Sequence, residues 1–145
     1  SINFDNKDPN LIEIGSWEVM TTGEDVLILA VGSMVSRSTD IVERLKEKNI
    51  QAEVINCRFI KPMDLEYLNN NLSRFSKIVT IEEGVLDGGF GEGIAAWSSD
   101  KNLKNEILNI GLPNDFVDHG PRNILLEEVG LDSSSLYEKI IQFIK

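Results

Sequence analysis

The chain has 145 residues, 41% hydrophobic and 26% charged, and carries a formal net charge of -10. This length is enough for one domain with a real core and too short for two ordinary domains. The acidic balance argues against partners such as a nucleic acid or an anionic membrane surface, since binding to either needs clustered Lys and Arg. The sequence contains no apolar run long enough to span a bilayer, no recognisable signal peptide at its start and a single cysteine, Cys57. We therefore expect a cytoplasmic protein in which Cys57 is a buried, inert thiol.

The first predicted elements are a tail and an edge strand. Residues 1–11 are mainly polar and contain Asp-Pro-Asn, so we expect a tail, a linker or a cloning remnant, with the domain running from residue 12 to residue 145. Residues 17–20 alternate apolar and polar side chains, which predicts a short strand. We expect it to be the one antiparallel strand of the sheet.

Buried strands and amphipathic helices then alternate. Residues 26–31 are continuously apolar, as in a strand covered on both faces, and further strands are predicted at 52–57, 78–81 and 107–110. Helical spacing predicts helices that carry these apolar residues: Met34, Val35, Ile41, Val42 and Leu45; Leu65, Leu68 and Leu72; Ile94, Ala95 and Trp97; Ile124, Leu125 and Val129; Leu136, Tyr137, Ile140, Ile141, Phe143 and Ile144. Asp64 and Asp132 are the predicted N-caps of the second and the last of these helices. The order predicts an α/β fold, a three-layer α/β/α sandwich around a mostly parallel sheet of about five strands.

The residues indicate no catalytic machinery. His119 is the only histidine, so with Cys57 it cannot form an ordinary zinc site, and no Gly-x-Ser-x-Gly elbow accompanies it. We favour a loop or interface role for His119 over a catalytic one. Neither a P-loop nor Gly-x-Gly-x-x-Gly is present, and Asp87 lacks the preceding glycine of the thiamine diphosphate motif. Residues 88–93 are rich in glycine but surrounded by acids, so close backbone packing or a domain interface is favoured over anion binding.

Charged residues cluster where two predicted strands end. Glu82 and Glu83 follow residues 78–81, and because adjacent strand residues point to opposite faces they cannot act on one atom together. A solvated or hydrogen-bonded strand end is the favoured interpretation. Arg58 and Lys61 follow the preceding strand, where they could meet an anion, but we favour pairing with Glu82 or Glu83.

Four segments resemble one family in order and spacing. Residues 58–64 read Arg-Phe-Ile-Lys-Pro-Met-Asp, residues 80–83 read Thr-Ile-Glu-Glu and are followed by Gly-Gly-Phe-Gly, residues 109–120 begin Asn-Ile-Gly-Leu-Pro, and residues 130–132 read Gly-Leu-Asp. The match starts at about residue 12 and is similar to the third, C-terminal domain of the 1-deoxy-D-xylulose-5-phosphate synthase family, which is transketolase-like. Asn114 departs from the family, which usually has Asp there.

The resemblance implies a fragment of a transferase that condenses pyruvate with glyceraldehyde 3-phosphate and releases CO₂ for the non-mevalonate isoprenoid route and for thiamine and pyridoxal synthesis. It implies thiamine diphosphate and Mg²⁺ in the full-length enzyme, none of them held by this domain. The implied partners are the N-terminal and middle domains and a second copy in a homodimer. No catalytic residue of the family maps onto this chain, so the domain alone is expected to be inactive.

Two alternatives stay open at this stage. The chain could be the equivalent domain of a transketolase or of a 2-oxo acid dehydrogenase β subunit, or a stand-alone binding module with the same fold. Phe90 and Phe116 are candidates either for an exposed apolar patch or for the core. The candidate interface or cleft-lining residues are Arg58, Lys61, Glu82, Glu83, Gly88, Gly89, Phe90, Gly91, Phe116 and His119.

Overall fold

One sheet organises the domain. The computed structural model describes residues 11–114, 120–121 and 126–145, and within them five strands lie in the order β1-β3-β2-β4-β5. The strands are β1 Glu18–Thr21, β2 Val26–Ala30, β3 Ala52–Asn56, β4 Lys77–Val85 and β5 Glu106–Leu112. β1 pairs antiparallel with β3, and the other neighbouring strands are parallel. The predicted mostly parallel sheet, with its first strand antiparallel, is confirmed.

Helices connect the strands as the periodicity predicts. They are α1 Met34–Asp40, α2 Val42–Lys46, α3 Leu65–Asn71 with a 3-10 turn at Leu72–Arg74, α4 Phe90–Asp100 and α5 Ser133–Ile144. Residues 126–128 are also helical and belong to the predicted helix of Ile124, Leu125 and Val129, of which Ile124 and Leu125 lie outside the described residues. Both predicted N-caps are confirmed, since the Asp64 and Asp132 carboxylates accept hydrogen bonds from the backbone N–H groups of Tyr67 and Ser135 at 2.9 and 3.2 Å.

The sheet is covered on both faces, which confirms the three layers. Alternate residues of β2 point to opposite sides. On one side, Val26, Ile28 and Ala30 pack in a core with side chains of α1, α2 and α5. On the other, Leu27 and Leu29 pack with side chains of α3 and α4.

Beyond shifts of one or two residues at strand ends, three features differ from the predictions. The first predicted helix is divided at Ile41, although Ile41 and Val42 are both buried, so the apolar stripe continues across the break. Leu65 does not belong to the buried stripe of α3, because it lies in the first turn beside Ile14 and is 52% exposed. β4 continues to Val85, so Glu82 and Glu83 lie inside the strand. The pairing of β4 with β2 ends at Ile81, and a register shift in its pairing with β5 follows.

Candidate functional site

Glu82 caps the helix that follows its own strand. Glu82 is buried, with 5% of the residue exposed. Oε2 accepts a hydrogen bond from the Phe90 amide at 2.9 Å, and Oε1 accepts one from the Gly91 amide at 3.4 Å. The first backbone N–H groups of a helix have no partner within the helix and carry partial positive charge, so a carboxylate there is favourable. Glu82 is therefore a structural anchor, and the predicted hydrogen-bonded state is confirmed for it.

Two glycines let α4 approach the sheet closely. A Cβ on Gly91 would collide with the Thr80 hydroxyl and lie 2.6 Å from Asn109 Oδ1. Those two side chains are joined by a hydrogen bond of 2.6 Å from the Thr80 hydroxyl to the amide oxygen. A Cβ on Gly89 would collide with Glu82 Oε1. The glycine-rich segment thus serves close backbone packing, which is one of the two interpretations that the sequence favoured over anion binding.

Side chains of the loop before α4 and of its neighbours hydrogen-bond the backbone of that loop. The Gly88 amide donates to Glu92 Oε2 at 2.8 Å, and the Asp87 amide donates to Asn114 Oδ1 at 3.2 Å. Asn114 returns a hydrogen bond of 2.5 Å from its amide nitrogen to the Asp87 carboxylate. Gly88 has φ +68, a left-handed conformation that glycine adopts without strain. Because carboxylates already occupy amides at this helix start, an anionic ligand would meet repulsion there.

The predicted pairing of Arg58 is wrong. Arg58 donates from Nε to the Ser16 carbonyl at 3.2 Å and lies 3.8 Å from the Glu18 carboxylate. The physical reason is that the antiparallel β1 runs beside β3 and brings residues 16–18 to the end of β3, nearer than β4. No ion pair of Lys61 with Glu82 or Glu83 occurs among the described residues. Glu83 is half-buried and has other interactions.

Phe90 belongs to the core of this domain. Its side chain is 4% exposed and meets Trp17 edge-on, with ring centroids 5.9 Å apart. Of the two alternatives for this residue, the core is correct and the exposed patch is wrong. Phe116 and His119 lie outside the described residues, so their predicted interface roles stay predictions.

A cleft opens where β3 and β4 end. It has a volume of about 410 Å³ and lies between the loop after β3 and the glycine-rich start of α4. Its lining brings together predicted residues with neighbours that the sequence did not single out: Ile60, Lys61, Met63, Gly88, Gly89, Phe90, Glu92, Gly93 and Ala96. The lining combines apolar walls with one cation, Lys61, and one acid, Glu92, a composition that is compatible with an interface between domains.

Sequence reasoning missed what holds the loop after β3 in place. Trp17 donates from its indole N–H to the Phe59 carbonyl and from its backbone N–H to Asp64 Oδ2, both at 2.8 Å. Asp64 therefore holds β1 as well as capping α3. Its capping role was visible in the sequence, but the second contact spans 47 residues and leaves no local signal.

A buried polar group on the other side of α3 was also missed. The Tyr67 hydroxyl and the Arg74 guanidinium both donate to Oε2 of Glu53, at 2.7 and 2.8 Å. Burial and the Glu53 carboxylate raise the pKa of Tyr67. Burial likewise raises the pKa of the Cys57 thiol, which is 1% exposed, as expected for an inert thiol. These groups are internally satisfied and indicate structural roles.

Across 11–114, 120–121 and 126–145, no group of three or more His, Cys, Asp or Glu side chains has an arrangement that could hold a metal ion. The described helices also include none that is both long and apolar enough to cross a membrane. The expectation that this domain itself holds no thiamine diphosphate or Mg²⁺ stays a prediction.

The fold defines the class of domain, an α/β/α unit around a five-stranded, mostly parallel sheet. The family "Transketolase, C-terminal domain" matches residues 15–136. The chain belongs to this family, as the resemblance of its motifs predicted.

Individual relatives within this family share sequence identity with the chain over most of its length. The chain is 35% identical over 134 residues to 1-deoxy-D-xylulose-5-phosphate synthase from Aquifex aeolicus, covering 92% of this chain and 21% of that protein. It is 38% identical over 130 residues to the synthase of the same name from Geobacillus sp., covering 89% and 21%. The chain thus spans about a fifth of the length of these curated relatives.

Solved structures agree on the fold. A split-gene transketolase, described as an inactive beta4 tetramer, superposes with a TM-score of 0.83 at 27% identity, covering 92% of this chain and 43% of that one. A transketolase mutant from Pichia stipitis superposes with a TM-score of 0.66 at 18% identity, covering 90% and 18%. The second likeness concerns the fold alone.

Proposed function

We propose that this chain is the C-terminal domain of a 1-deoxy-D-xylulose-5-phosphate synthase and that its role is structural. The observation that carries the proposal is the identity of 35% and 38% to enzymes of that name over about nine tenths of this chain. The four sequence motifs fall in the same region. The whole enzyme would condense pyruvate with glyceraldehyde 3-phosphate, and this domain would supply no reacting group.

The hydrogen-bond partners of the described buried groups favour a structural role over a catalytic one. Glu82, the best placed buried carboxylate, has both oxygens engaged by backbone amides. The hydroxyl of Tyr67 is engaged by Glu53, and the Cys57 thiol is buried. A general acid or base must be able to exchange a proton with a substrate within hydrogen-bond reach, and these groups face protein partners instead.

The other parts of the proposal concern the whole enzyme. Thiamine diphosphate and Mg²⁺ would be held by the preceding domains, since the described residues offer no metal-ligating cluster and the amides of Gly88, Phe90 and Gly91 already donate to carboxylates. A homodimer and a cytoplasmic location are part of the same proposal.

The test compares this chain with a polypeptide that continues upstream of it. Each is supplied with pyruvate, glyceraldehyde 3-phosphate, thiamine diphosphate and Mg²⁺, and CO₂ release and the ketose phosphate product are measured. We expect turnover from the longer polypeptide and none from the 145-residue chain. Turnover by the short chain would place catalytic groups in this domain and overturn the structural role.

One observation favours a second candidate. The split-gene transketolase is more than fold-related, with a TM-score of 0.83 and 27% identity. The same longer polypeptide should therefore be offered a ketose phosphate and an aldose phosphate without pyruvate. Two-carbon transfer between them, together with no CO₂ release in the pyruvate assay, would replace the synthase by a transketolase.

A further inference from the structure

Exposed apolar side chains gather at one corner of the domain. Eight large apolar side chains are exposed among the described residues, and five of them belong to the entering segment or to the loop after β3 and the start of α3: Leu11, Ile12, Ile14, Ile60 and Leu65. Ile14 and Leu65 line one hollow, and Ile60 lines the cleft described above. Met63 lines both, so the two hollows adjoin. We call Ile14, Ile60, Met63 and Leu65 the entry patch.

Hydrogen bonds fix the backbone segments that carry the entry patch. The loop that carries Ile60 and Met63 is fixed by the Trp17 indole on the Phe59 carbonyl and by Asp64, which binds the Trp17 amide. Arg58 binds both the carbonyl and the hydroxyl of Ser16, at 3.2 and 3.1 Å. The apolar side chains therefore lie on backbone segments that hydrogen bonds hold in place. A contiguous exposed apolar surface of this kind is typical of an interface.

We infer that the entry patch is where the preceding domain of the same polypeptide docks. The inference rests on the proposed function, in which this chain is the C-terminal fifth of a longer enzyme. Any preceding domain is attached through the segment that enters at Leu11, and Ile14 of that segment is already part of the patch. A covalent connection at this corner raises the effective concentration of a neighbouring domain there.

The alternatives on the same molecule are weaker. The groove between α2 and α5, lined by Ile50, Tyr137 and Ile141, lies against the opposite face of the sheet from α3. The exposed Val19 and Met20 sit on β1, a strand of four residues with an irregular register, which limits pairing with another edge. The lining of the groove includes no residue of the entering segment.

Solvent access in the full-length polypeptide tests the inference. The test uses three single variants, Leu65→Cys, Ile60→Cys and the control Val19→Cys. Each variant is labelled with N-ethylmaleimide, once as the native protein and once unfolded in urea. Mass spectrometry then quantifies the labelled peptides. Val19 is a matched control because its exposure of 51% is within one percentage point of the 52% of Leu65. We expect the new thiols at 65 and 60 to react at least about tenfold more slowly than the thiol at 19 in the native protein, and all three to react alike in urea. Equal native rates would overturn the inference.

Cross-linking identifies the occupant. Lys61 lies beside Ile60 on the exposed rim of the cleft, and no ion pair engages it among the described residues. A zero-length reagent that joins amines to carboxylates should link Lys61 to the preceding domain in species with the mass of one chain. Links found only between two copies of this domain would assign the patch to self-association and overturn the inference.

Turnover measured on the same samples separates the two proposals. Rapid labelling of the patch in a polypeptide that condenses pyruvate with glyceraldehyde 3-phosphate would overturn the docking inference and leave the proposed function standing. Protected thiols with Lys61 linked to the preceding domain, in a polypeptide without that activity, would support docking and overturn the synthase assignment.

Discussion

Replacing Glu82 by glutamine tests whether a buried carboxylate holds the start of α4. Glutamine keeps the shape of the side chain but removes its charge and turns one acceptor oxygen into a donor. In the native protein the two oxygens accept from the Phe90 and Gly91 amides at 2.9 and 3.4 Å. Glutamine can satisfy one of these amides and must present N–H groups toward the other.

The expected cost follows from these contacts. A hydrogen bond to a charged group contributes about 1.5–3 kcal/mol and a neutral one about 1 kcal/mol, so the retained bond weakens by about 1 kcal/mol. Losing the longer bond and the favourable charge at a partly buried helix start costs about 1 kcal/mol more. We expect Glu82→Gln to lower the free energy of unfolding by about 2 kcal/mol. Glu82→Ala should cost about 3–5 kcal/mol, since it leaves both amides unpaired beside a cavity.

Urea unfolding followed by tryptophan fluorescence measures this effect. Trp17 reports on the start of α4, because its ring lies 5.9 Å from that of Phe90. With a slope of about 2 kcal/mol per molar urea, Glu82→Gln should lower the midpoint by about 1 M. Glu43→Gln is the control, an acid in the first turn of α2 with 79% of its side chain exposed. Its midpoint should stay within about 0.2 M of the parent. Equal shifts for the two variants would refute the capping role of Glu82.

Three further predictions use the same unfolding assay. Gly91→Ala should lower the free energy of unfolding by about 1–3 kcal/mol through overpacking. Gly93→Ala, on the same helix with nothing within 4 Å, should raise it by about 0.5–1 kcal/mol; effects of the same sign would contradict the close approach of α4. Because burial raises the pKa of Cys57, the unfolded chain loses that proton first, and stability should fall as pH rises above about 8.5, below the range where Tyr67 ionises. A Cys57→Ala variant that keeps the same slope between pH 8.5 and 9.5 would show that another group is responsible. Asn114→Asp should place a second carboxylate against Asp87 and lower the free energy of unfolding by about 0.5 kcal/mol. Because salt screens repulsion between charges, 1 M salt should largely remove this difference. A difference that persists in salt would show that repulsion is not its cause.

The candidate site shows how far local patterns reach. Glu82 and the glycines were recognised from residues within about a dozen positions, because a strand, a turn and a helix start are all local signals. The sequence also excluded joint action of Glu82 and Glu83 from the alternation of a strand. The partner of Arg58 was predicted wrongly, because it depends on β1 lying beside β3, a pairing between segments almost 40 residues apart.

The structure was equally needed for the surface. Leu65 continues the spacing of Leu68 and Leu72, yet it is exposed while they are buried. Periodicity states which face of a helix is apolar but not how far along its length the sheet covers it. The entry patch therefore becomes visible only when the loop after β3, the first turn of α3 and the entering segment are placed side by side.

By itself, the sequence determined the class of fold, the order of the elements and both side-chain N-caps. Those features depend on the repeat of apolar residues and on hydrogen bonds that reach three residues, and both are written in consecutive positions. Tertiary structure decided which charges pair, that the Phe90 ring is buried against Trp17, and which apolar side chains remain uncovered. These outcomes depend on contacts between segments that are distant in sequence. Such contacts form only when the whole fold brings those segments together, and no local pattern of residues encodes that geometry.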